Sequence, residues 1–177
     1  MTEDIIVRRA KVGDLHGLAD LAARSFRDTF EADNDAKNVE DYLRSSLTVE
    51  STREELDDSS NIFLIVCRNG QADPVGYAKL STTTDDPSVD GQHTIEIERI
   101  YADKSEIGRG IGAALMRTCL ATADDLGCEA IWLGVWERNE RAIHFYERWG
   151  FVTVGNRQFA LGPELQTDLV MAKALTK

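Results

Sequence analysis

The sequence predicts an α/β fold in which helices flank one mixed β-sheet. Short apolar runs alternate with amphipathic segments along the 177 residues, and glycine- or proline-containing turns separate them. Neither a repeat nor a long linker interrupts this pattern, so we expect residues 1–177 to form a single domain with a sizeable core. The predicted order of elements is β, α, α, β, β, β, α, β, α, β, β, which is typical of a layered α/β structure.

The first half of the chain contains a strand, two helical regions and a hairpin. Asp14 is placed to cap the first helix, whose apolar side chains recur at helical spacing up to Phe30. The polar segment after Phe30 leads into the second helical region, and the turn at 68–74 joins two apolar strands. The predicted ranges are Ile5–Arg9, 15–30, Val39–Asp58, Asn61–Cys67 and Val75–Ser81.

The second half begins with a strand of clean alternation, HTIEIERIYA, which follows an acidic loop. This alternation predicts Ile95, Ile97 and Arg99 on one face of the sheet, with Glu96, Glu98 and Ile100 on the other. A helix, a buried strand, a short helix and two antiparallel strands follow. Their predicted ranges, with the alternating strand first, are His93–Ala102, Gly110–Leu126, Ala130–Trp136, Glu140–Trp149, Phe151–Leu161 and Thr167–Lys173.

Composition narrows the classes of partner. With 31 acidic and 20 basic residues the net charge is −11, which disfavours nucleic acid and favours small cations, although solubility alone also explains it. The three cysteines, Cys67, Cys119 and Cys128, lack metal-type spacing and are typical of buried hydrophobes in a reducing compartment. No signal-peptide pattern and no long apolar run is present, so we expect a cytoplasmic protein that binds neither a membrane nor a metal.

The stretch Glu106–Ala114, EIGRGIGAA, places three glycines at alternate positions directly before an apolar helix. A glycine turn at a helix N-terminus directs free N–H groups at an anion, and glycine lets the backbone approach a phosphate closely. A tight structural turn would also need glycine. A P-loop is excluded because no Gly-Lys-Ser/Thr follows. The dinucleotide fingerprint fits only in part, because Glu137 lies too far along the chain for its acidic residue.

Four segments, one of them within this glycine-rich stretch, form a longer motif. They are Ile100–Ala102, Ile107–Gly112, Asn139-x-x-Ala142-x-x-Phe145-Tyr146, and Gly150-Phe151. Together they resemble the GNAT superfamily of acetyl-CoA-dependent N-acetyltransferases over most of the chain. The stretches IEIERIY, IWLGVWERNERAIHFYERWGFV and QTDLVMAKAL also resemble the bacterial PaiA-type spermidine/spermine N-acetyltransferases. The family's turn usually begins with Gln or Arg, whereas Ile107 stands there in this chain.

The resemblance implies a GNAT-like α+β fold, with a mostly antiparallel sheet of about seven strands and about four helices. It implies acetyl-CoA as co-substrate, with main-chain groups of the central strand and of the glycine turn holding pantetheine and pyrophosphate, and Arg109 adding a positive charge. It also allows a homodimer. The implied cofactor-binding residues are Ile100, Tyr101, Ala102, Ile107, Gly108, Arg109, Gly110, Ile111, Gly112, Ala113, Asn139, Ala142 and Tyr146.

Three side chains are candidates for catalysis. Tyr146 lies seven residues after Asn139 and therefore on the same helix face, and a phenol is well matched to protonating a thiolate leaving group. Glu96 and Glu98 share a strand face and are candidates for the base that deprotonates an amine, or for its ammonium-binding site, with Glu98 preferred as the base. A packing tyrosine and a solvated strand edge are the alternatives.

The sequence thus leaves three classes of function open. The first is an N-acetyltransferase acting on a polyamine such as spermidine or spermine, with a protein N-terminus or another small amine as alternative acceptors. The second is a non-catalytic acyl-CoA-binding regulator, which retention of Tyr146 and the two glutamates argues against. The third is a nicotinamide-dependent oxidoreductase, which depends on the incomplete dinucleotide fingerprint alone.

Overall fold

A computed structural model of the protein describes residues 4–176. Within them, seven strands form one sheet in the order β1-β2-β3-β4-β5-β7-β6. Every neighbouring pair is antiparallel except β4 and β5, which confirms the predicted mixed, mostly antiparallel sheet. The strands are Ile5–Arg9 (β1), Asn61–Arg68 (β2), Pro74–Ser81 (β3), Thr94–Ala102 (β4), Ala130–Trp136 (β5), Val152–Leu161 (β6) and Glu164–Ala174 (β7).

Five α-helices accompany the sheet in this part of the chain. They are Leu15–Phe30 (α1), Ala36–Ser46 (α2), Val49–Asp57 (α3), Ile111–Asp125 (α4) and Glu140–Arg148 (α5). The helical region predicted over Val39–Asp58 forms as α2 and α3, because Thr48 starts a new helix. The Thr48 hydroxyl accepts the Ser51 N–H at 3.1 Å, and the Ser51 hydroxyl accepts the Thr48 N–H at 2.9 Å.

Strand β4 contains a bulge at Glu98. Its partner strand β3 pairs Lys79 with Arg99 and the next residue, Leu80, with Ile97, so Glu98 is an extra residue without a direct partner. Such an insertion reverses the side-chain alternation for the rest of the strand. The predicted faces are therefore correct only up to this point.

The two faces of β4 after the bulge correct the sequence prediction. Ile100, which we placed opposite Ile97, packs against the same apolar cluster as Ile97 beneath helix α4. Arg99, which we placed with Ile97, instead forms an ion pair with Glu55 of helix α3. The bulge thus turns Arg99 towards the other side of the sheet.

The sheet separates two apolar cores. Helices α4 and α5 cover one face, and α1, α2 and α3 cover the other. Gly76 of β3 lets α4 approach the first of these faces, because a Cβ atom there would lie 2.4 Å from the Ile111 Cγ2. Within residues 4–176 no helix combines the length and apolarity needed to cross a bilayer.

Candidate active site

A cleft of about 1080 Å³ passes through the sheet at its centre. Its lining includes Phe30 and Tyr42, from helices of one face, together with Ile111 and Tyr146, from helices of the other. A ligand held by one face of the molecule can therefore meet a ligand held by the other. This is the geometry that a transfer reaction between two substrates requires.

The cleft exists because β4 and β5 separate. Their parallel pairing runs from Thr94 opposite Ala130 to Ile97 opposite Leu133, and no ladder joins them farther along in the described structure. The outer side of each strand stays paired, β4 with β3 and β5 with β7. The main-chain groups of β4 that face the opening are thus available to a ligand, as the resemblance implied for Ile100–Ala102.

The glycine turn lies at the mouth of the cleft, where helix α4 begins. Gly108 and Gly110 have φ angles of +82° and +83°, a region that favours glycine, and a Cβ atom on either would meet nothing within 4 Å. Gly112 has ordinary dihedrals. The first amides of α4 have no intrahelical acceptor, and no side chain caps the helix at Gly110. These N–H groups and the helix dipole fit the pyrophosphate of a coenzyme A molecule.

Two glutamate-arginine contacts anchor this turn. Both carboxylate oxygens of the buried Glu106 accept hydrogen bonds from the guanidinium of Arg68, at the end of β2. Arg109 lies 3.9 Å from the same carboxylate, and its side chain is 63% exposed. Arg109 is the one predicted site residue that does not line the cleft.

Helix α5 forms the wall opposite β4. Asn139 caps it, with its Oδ1 accepting the Ala142 N–H at 3.2 Å, so the N-x-x-A part of the motif is a helix N-cap. Asn139 and Ala142 both line the cleft. The motif therefore fixes the start of the helix that carries Tyr146.

Tyr146 is 8% exposed, and its ring packs against Phe145 and Phe151 with centroids 5.5 Å and 6.0 Å away. Burial raises the pKa of its phenol well above the ordinary value, and the neighbouring Tyr101 and Cys119 raise it further. The phenol consequently stays protonated over the working pH range of an enzyme. A buried phenol in its protonated form therefore lines the opening.

The two predicted basic carboxylates both line the cleft, but each is already in an ion pair. The Glu96 carboxylate is almost fully buried and accepts a hydrogen bond from the Arg157 guanidinium at 2.9 Å. The Glu98 carboxylate lies 2.5 Å from the Lys79 ammonium group. This ion pair joins β4, at its bulge, to β3.

Glu98 belongs to a partly buried cluster of four charges. Glu55 of α3 lies 3.0 Å from the Lys79 ammonium and 2.6 Å from the Arg99 guanidinium. Burial opposes ionisation of Glu55, yet its hydrogen bonds to these two cations bring its pKa below the ordinary value. Two positive and two negative groups thus neutralise one another on the face of the sheet that α1, α2 and α3 cover.

Three aspartates of the cleft wall, by contrast, have no ion-pair partner among the described residues. Asp28 and Asp33 come from the end of α1 and the turn after it, and Asp168 comes from β7. Among residues 4–176 no ion pair within 4 Å or side-chain hydrogen bond engages their carboxylates. We call Asp28, Asp33 and Asp168 the unpaired aspartates.

Sequence reasoning missed these aspartates and Arg157, which all line the cleft. Asp168 did carry a signal, since it precedes Val170 and Ala172 at alternate positions of one strand, and both of these side chains are buried. Arg157 gave none, because its partner is 61 residues away in sequence. The three histidines, His16, His93 and His144, are all exposed.

An open sheet with a glycine turn at a helix N-terminus, a capped helix and a buried phenol around one cleft fits a transferase that uses an acyl-coenzyme A donor. The family model described as the acetyltransferase (GNAT) family matches residues 16–151. The chain belongs to this family and is an acetyl-CoA-dependent N-acetyltransferase. Among the described residues, no group of acidic, histidine or cysteine side chains is arranged to hold a metal ion.

Similar proteins agree with this assignment. The chain is 30% identical to an uncharacterised N-acetyltransferase of Lactobacillus delbrueckii subsp. lactis over 162 residues, 92% of each chain. It is 33% identical to one of Mycobacterium bovis, over 92% of this chain and 98% of that one. The crystal structure of PaiA N-acetyltransferase from Thermoplasma acidophilum with coenzyme A has the same fold, with a TM-score of 0.75 and 19% identity over 97% and 99% of the two chains.

Proposed function

We propose that the protein acetylates a polyamine such as spermidine or spermine, with the acetyl group passing directly from acetyl-CoA to an amino group within one ternary complex. The observation that carries the acceptor class is the charge of the cleft wall. Each glutamate that lines the cleft is held in an ion pair, whereas the unpaired aspartates leave negative charge on the side of the cleft towards α1, which we take as the acceptor side. The lining arginines without an ion pair among the described residues lie on or directly before α5: Arg138, Arg141 and Arg148. A polycation satisfies several separated carboxylates at once, which a monoamine cannot do.

In this proposal, main-chain groups hold the acetyl donor, acetyl-CoA. The amides of Ile107–Ala113 receive the pyrophosphate, and Arg109 adds a mobile positive charge outside the cleft. Asn139 and Ala142 border the pantetheine arm, opposite β4. The free main-chain edge at Ile100–Ala102 supplies an N–H to the oxyanion that develops at the thioester carbonyl, an interaction worth roughly 3–4 kcal/mol in the transition state.

The proton donor of the proposal is Tyr146. Its phenol gives a proton to the thiolate sulfur as the carbon–sulfur bond breaks. The raised pKa of this phenol keeps it protonated before the reaction, so its proton is present when the thiolate forms. Glu96 and Glu98 lie on the acceptor side, where their ion pairs argue against either as the base.

A thiol-release assay tests the proposed acceptor. The purified protein is incubated with acetyl-CoA and, separately, with spermidine, spermine, a monoamine and a peptide with a free N-terminus, and free coenzyme A thiol is followed. We expect the largest kcat/KM with a polyamine. Thiol release with the peptide alone would replace the polyamine by a protein N-terminus as the acceptor. If none of the amines causes release although coenzyme A binds, the protein is better explained as a non-catalytic regulator. We also propose that the reaction takes place in the cytoplasm, which the three buried free cysteines support.

A further inference from the structure

The acceptor amine needs a base that the predicted glutamates do not provide. An amine that arrives as an ammonium ion must lose a proton before its nitrogen can attack a thioester. A carboxylate held in a salt bridge is a poor acceptor for that proton, because protonation breaks the ion pair and leaves a cation unpaired. Both Glu96 and Glu98 are in this position.

The contacts of the Arg157 guanidinium direct it towards Glu96. Its guanidinium lies over Gly134 of β5, where a Cβ atom would come within 2.6 Å of it. It also lies 5.5 Å from the centre of the Trp132 ring and donates to Glu96 at 2.9 Å. Glycine at position 134 therefore leaves the space through which Arg157 crosses the sheet from β6 to β4.

Asp168 lies beside this arrangement without joining it. In the sheet it is the direct partner of Arg157 on one side and of Trp136 on the other, so it faces the same cleft. No hydrogen bond or ion pair within 4 Å ties its carboxylate to another of residues 4–176. The charged and titratable groups whose fields reach it are Arg157, Glu96 and Tyr101.

We propose that Asp168 is the carboxylate that binds the acceptor's reacting ammonium group and removes its proton. This inference rests on acetyl transfer to an amine, and on the proposed polyamine only for the identity of that amine. Burial makes the carboxylate a stronger base than an exposed aspartate, since it raises the pKa of Asp168, with the Arg157 charge opposing and the Glu96 charge adding to the rise. The Asp168 charge raises the pKa of Tyr101, and Tyr101 in turn raises the pKa of Tyr146.

Two protons leave the acceptor nitrogen in the proposed reaction. The ammonium gives one proton to the Asp168 carboxylate, which later releases it to water. The free amine nitrogen bonds to the thioester carbon and the carbon–sulfur bond breaks. The sulfur takes a proton from Tyr146, and the second proton leaving the new amide nitrogen restores the phenol. One ammonium and one acetyl-CoA thus give one acetamide, one coenzyme A thiol and one released proton.

The test compares four full-length variants with the wild type: Asp168→Asn, Glu96→Gln, Glu98→Gln and, as a matched control on the exposed end of α4, Asp125→Asn. For any amine that the wild type acetylates, we expect Asp168→Asn to lower kcat/KM by about 100-fold or more at neutral pH. The KM for acetyl-CoA should stay within about twofold, since the donor side is untouched. We expect the glutamate variants to lose less than Asp168→Asn, and Asp125→Asn to match the wild type.

A second acceptor separates a base from a packing residue. An amine whose pKa lies below the assay pH arrives already neutral, so the loss in Asp168→Asn should shrink at least tenfold with it. A loss of equal size with both amines, a loss under about threefold, or a larger loss in Glu98→Gln would overturn the inference. If the wild type acetylates a peptide or monoamine but no polyamine, the proposed acceptor fails while the same variant ratios still decide the role of Asp168.

Discussion

Tyr146 shows how a residue's surroundings decide its chemistry. The spacing from Asn139 predicted the shared helix face, and both side chains do line the cleft. The burial that raises the phenol's pKa was not predictable, because Phe151 and Cys119 reach the ring from other elements. A local motif thus gave the candidate, and long-range packing gave its protonation state.

Replacing Tyr146 by phenylalanine removes only the hydroxyl. We expect kcat to fall by about 100-fold because the thiolate then leaves without its proton donor, while the KM values for both substrates change little. Steady-state kinetics with acetyl-CoA and the accepted amine measure this effect. An unchanged kcat would show that Tyr146 serves packing alone.

Asp168 also predicts a pH effect on stability that is independent of catalysis. A pKa raised in the folded state means that folding favours the protonated carboxyl, so the benefit is complete below the unfolded value near 3.8 and is lost as pH rises through the folded pKa. Asp168→Asn should therefore gain stability over the wild type as the pH rises from 3 towards 7. Urea unfolding of both proteins at several pH values measures the difference, and a gap that stays constant or reverses would contradict the raised pKa.

At the level of the elements, the sequence predicted the strands and helices well and failed where one residue is inserted. The alternation of HTIEIERIYA is uninterrupted in the sequence, yet the bulge at Glu98 moves Arg99 and Ile100 to opposite faces from those predicted. A bulge is set by the partner strand, so β4 alone contains no signal for it. The break between α2 and α3 was also missed, although Thr48 and Ser51 form a capping box that the sequence contains.

The glycine turn gives a prediction at the same scale. Gly110→Ala should lower the free energy of unfolding by about 1–2 kcal/mol, because its positive φ strains a residue with a side chain although the space is free. Gly112→Ala is the matched control, since Gly112 has ordinary dihedrals and its new methyl group would meet Phe145 at 3.5 Å. Chemical denaturation compares the two, and equal losses would mean that the turn's dihedrals are not the reason for its glycines.

At the scale of the whole molecule, the structure shows where the acidic residues behind the net charge of −11 lie. Much of the acidic excess lies on helices and loops, and the unpaired aspartates bring part of it into the cleft. Composition predicted attraction of small cations but not where they would bind, because pairing between distant residues decides which charges remain. Arg157–Glu96 and Arg68–Glu106 neutralise charges that the sequence alone leaves open.

This charge distribution makes the reaction sensitive to salt. We expect kcat/KM for a polyamine to fall more steeply with ionic strength than kcat/KM for a monoamine, since more positive charges on the acceptor are screened from the cleft. The two acceptors are compared in the same buffers, so that effects of salt on acetyl-CoA binding cancel. Equal slopes would argue against several carboxylates acting on one acceptor.

A competition between acceptors tests most directly whether the enzyme acetylates a polyamine. Acetyl-CoA carrying a labelled acetyl group is offered to the enzyme with equal concentrations of spermidine, a monoamine and a peptide with a free N-terminus, and mass spectrometry identifies the labelled products. We expect most of the label to appear in acetylated spermidine. Label found mainly in the peptide or the monoamine, or in no amine at all, would contradict this expectation.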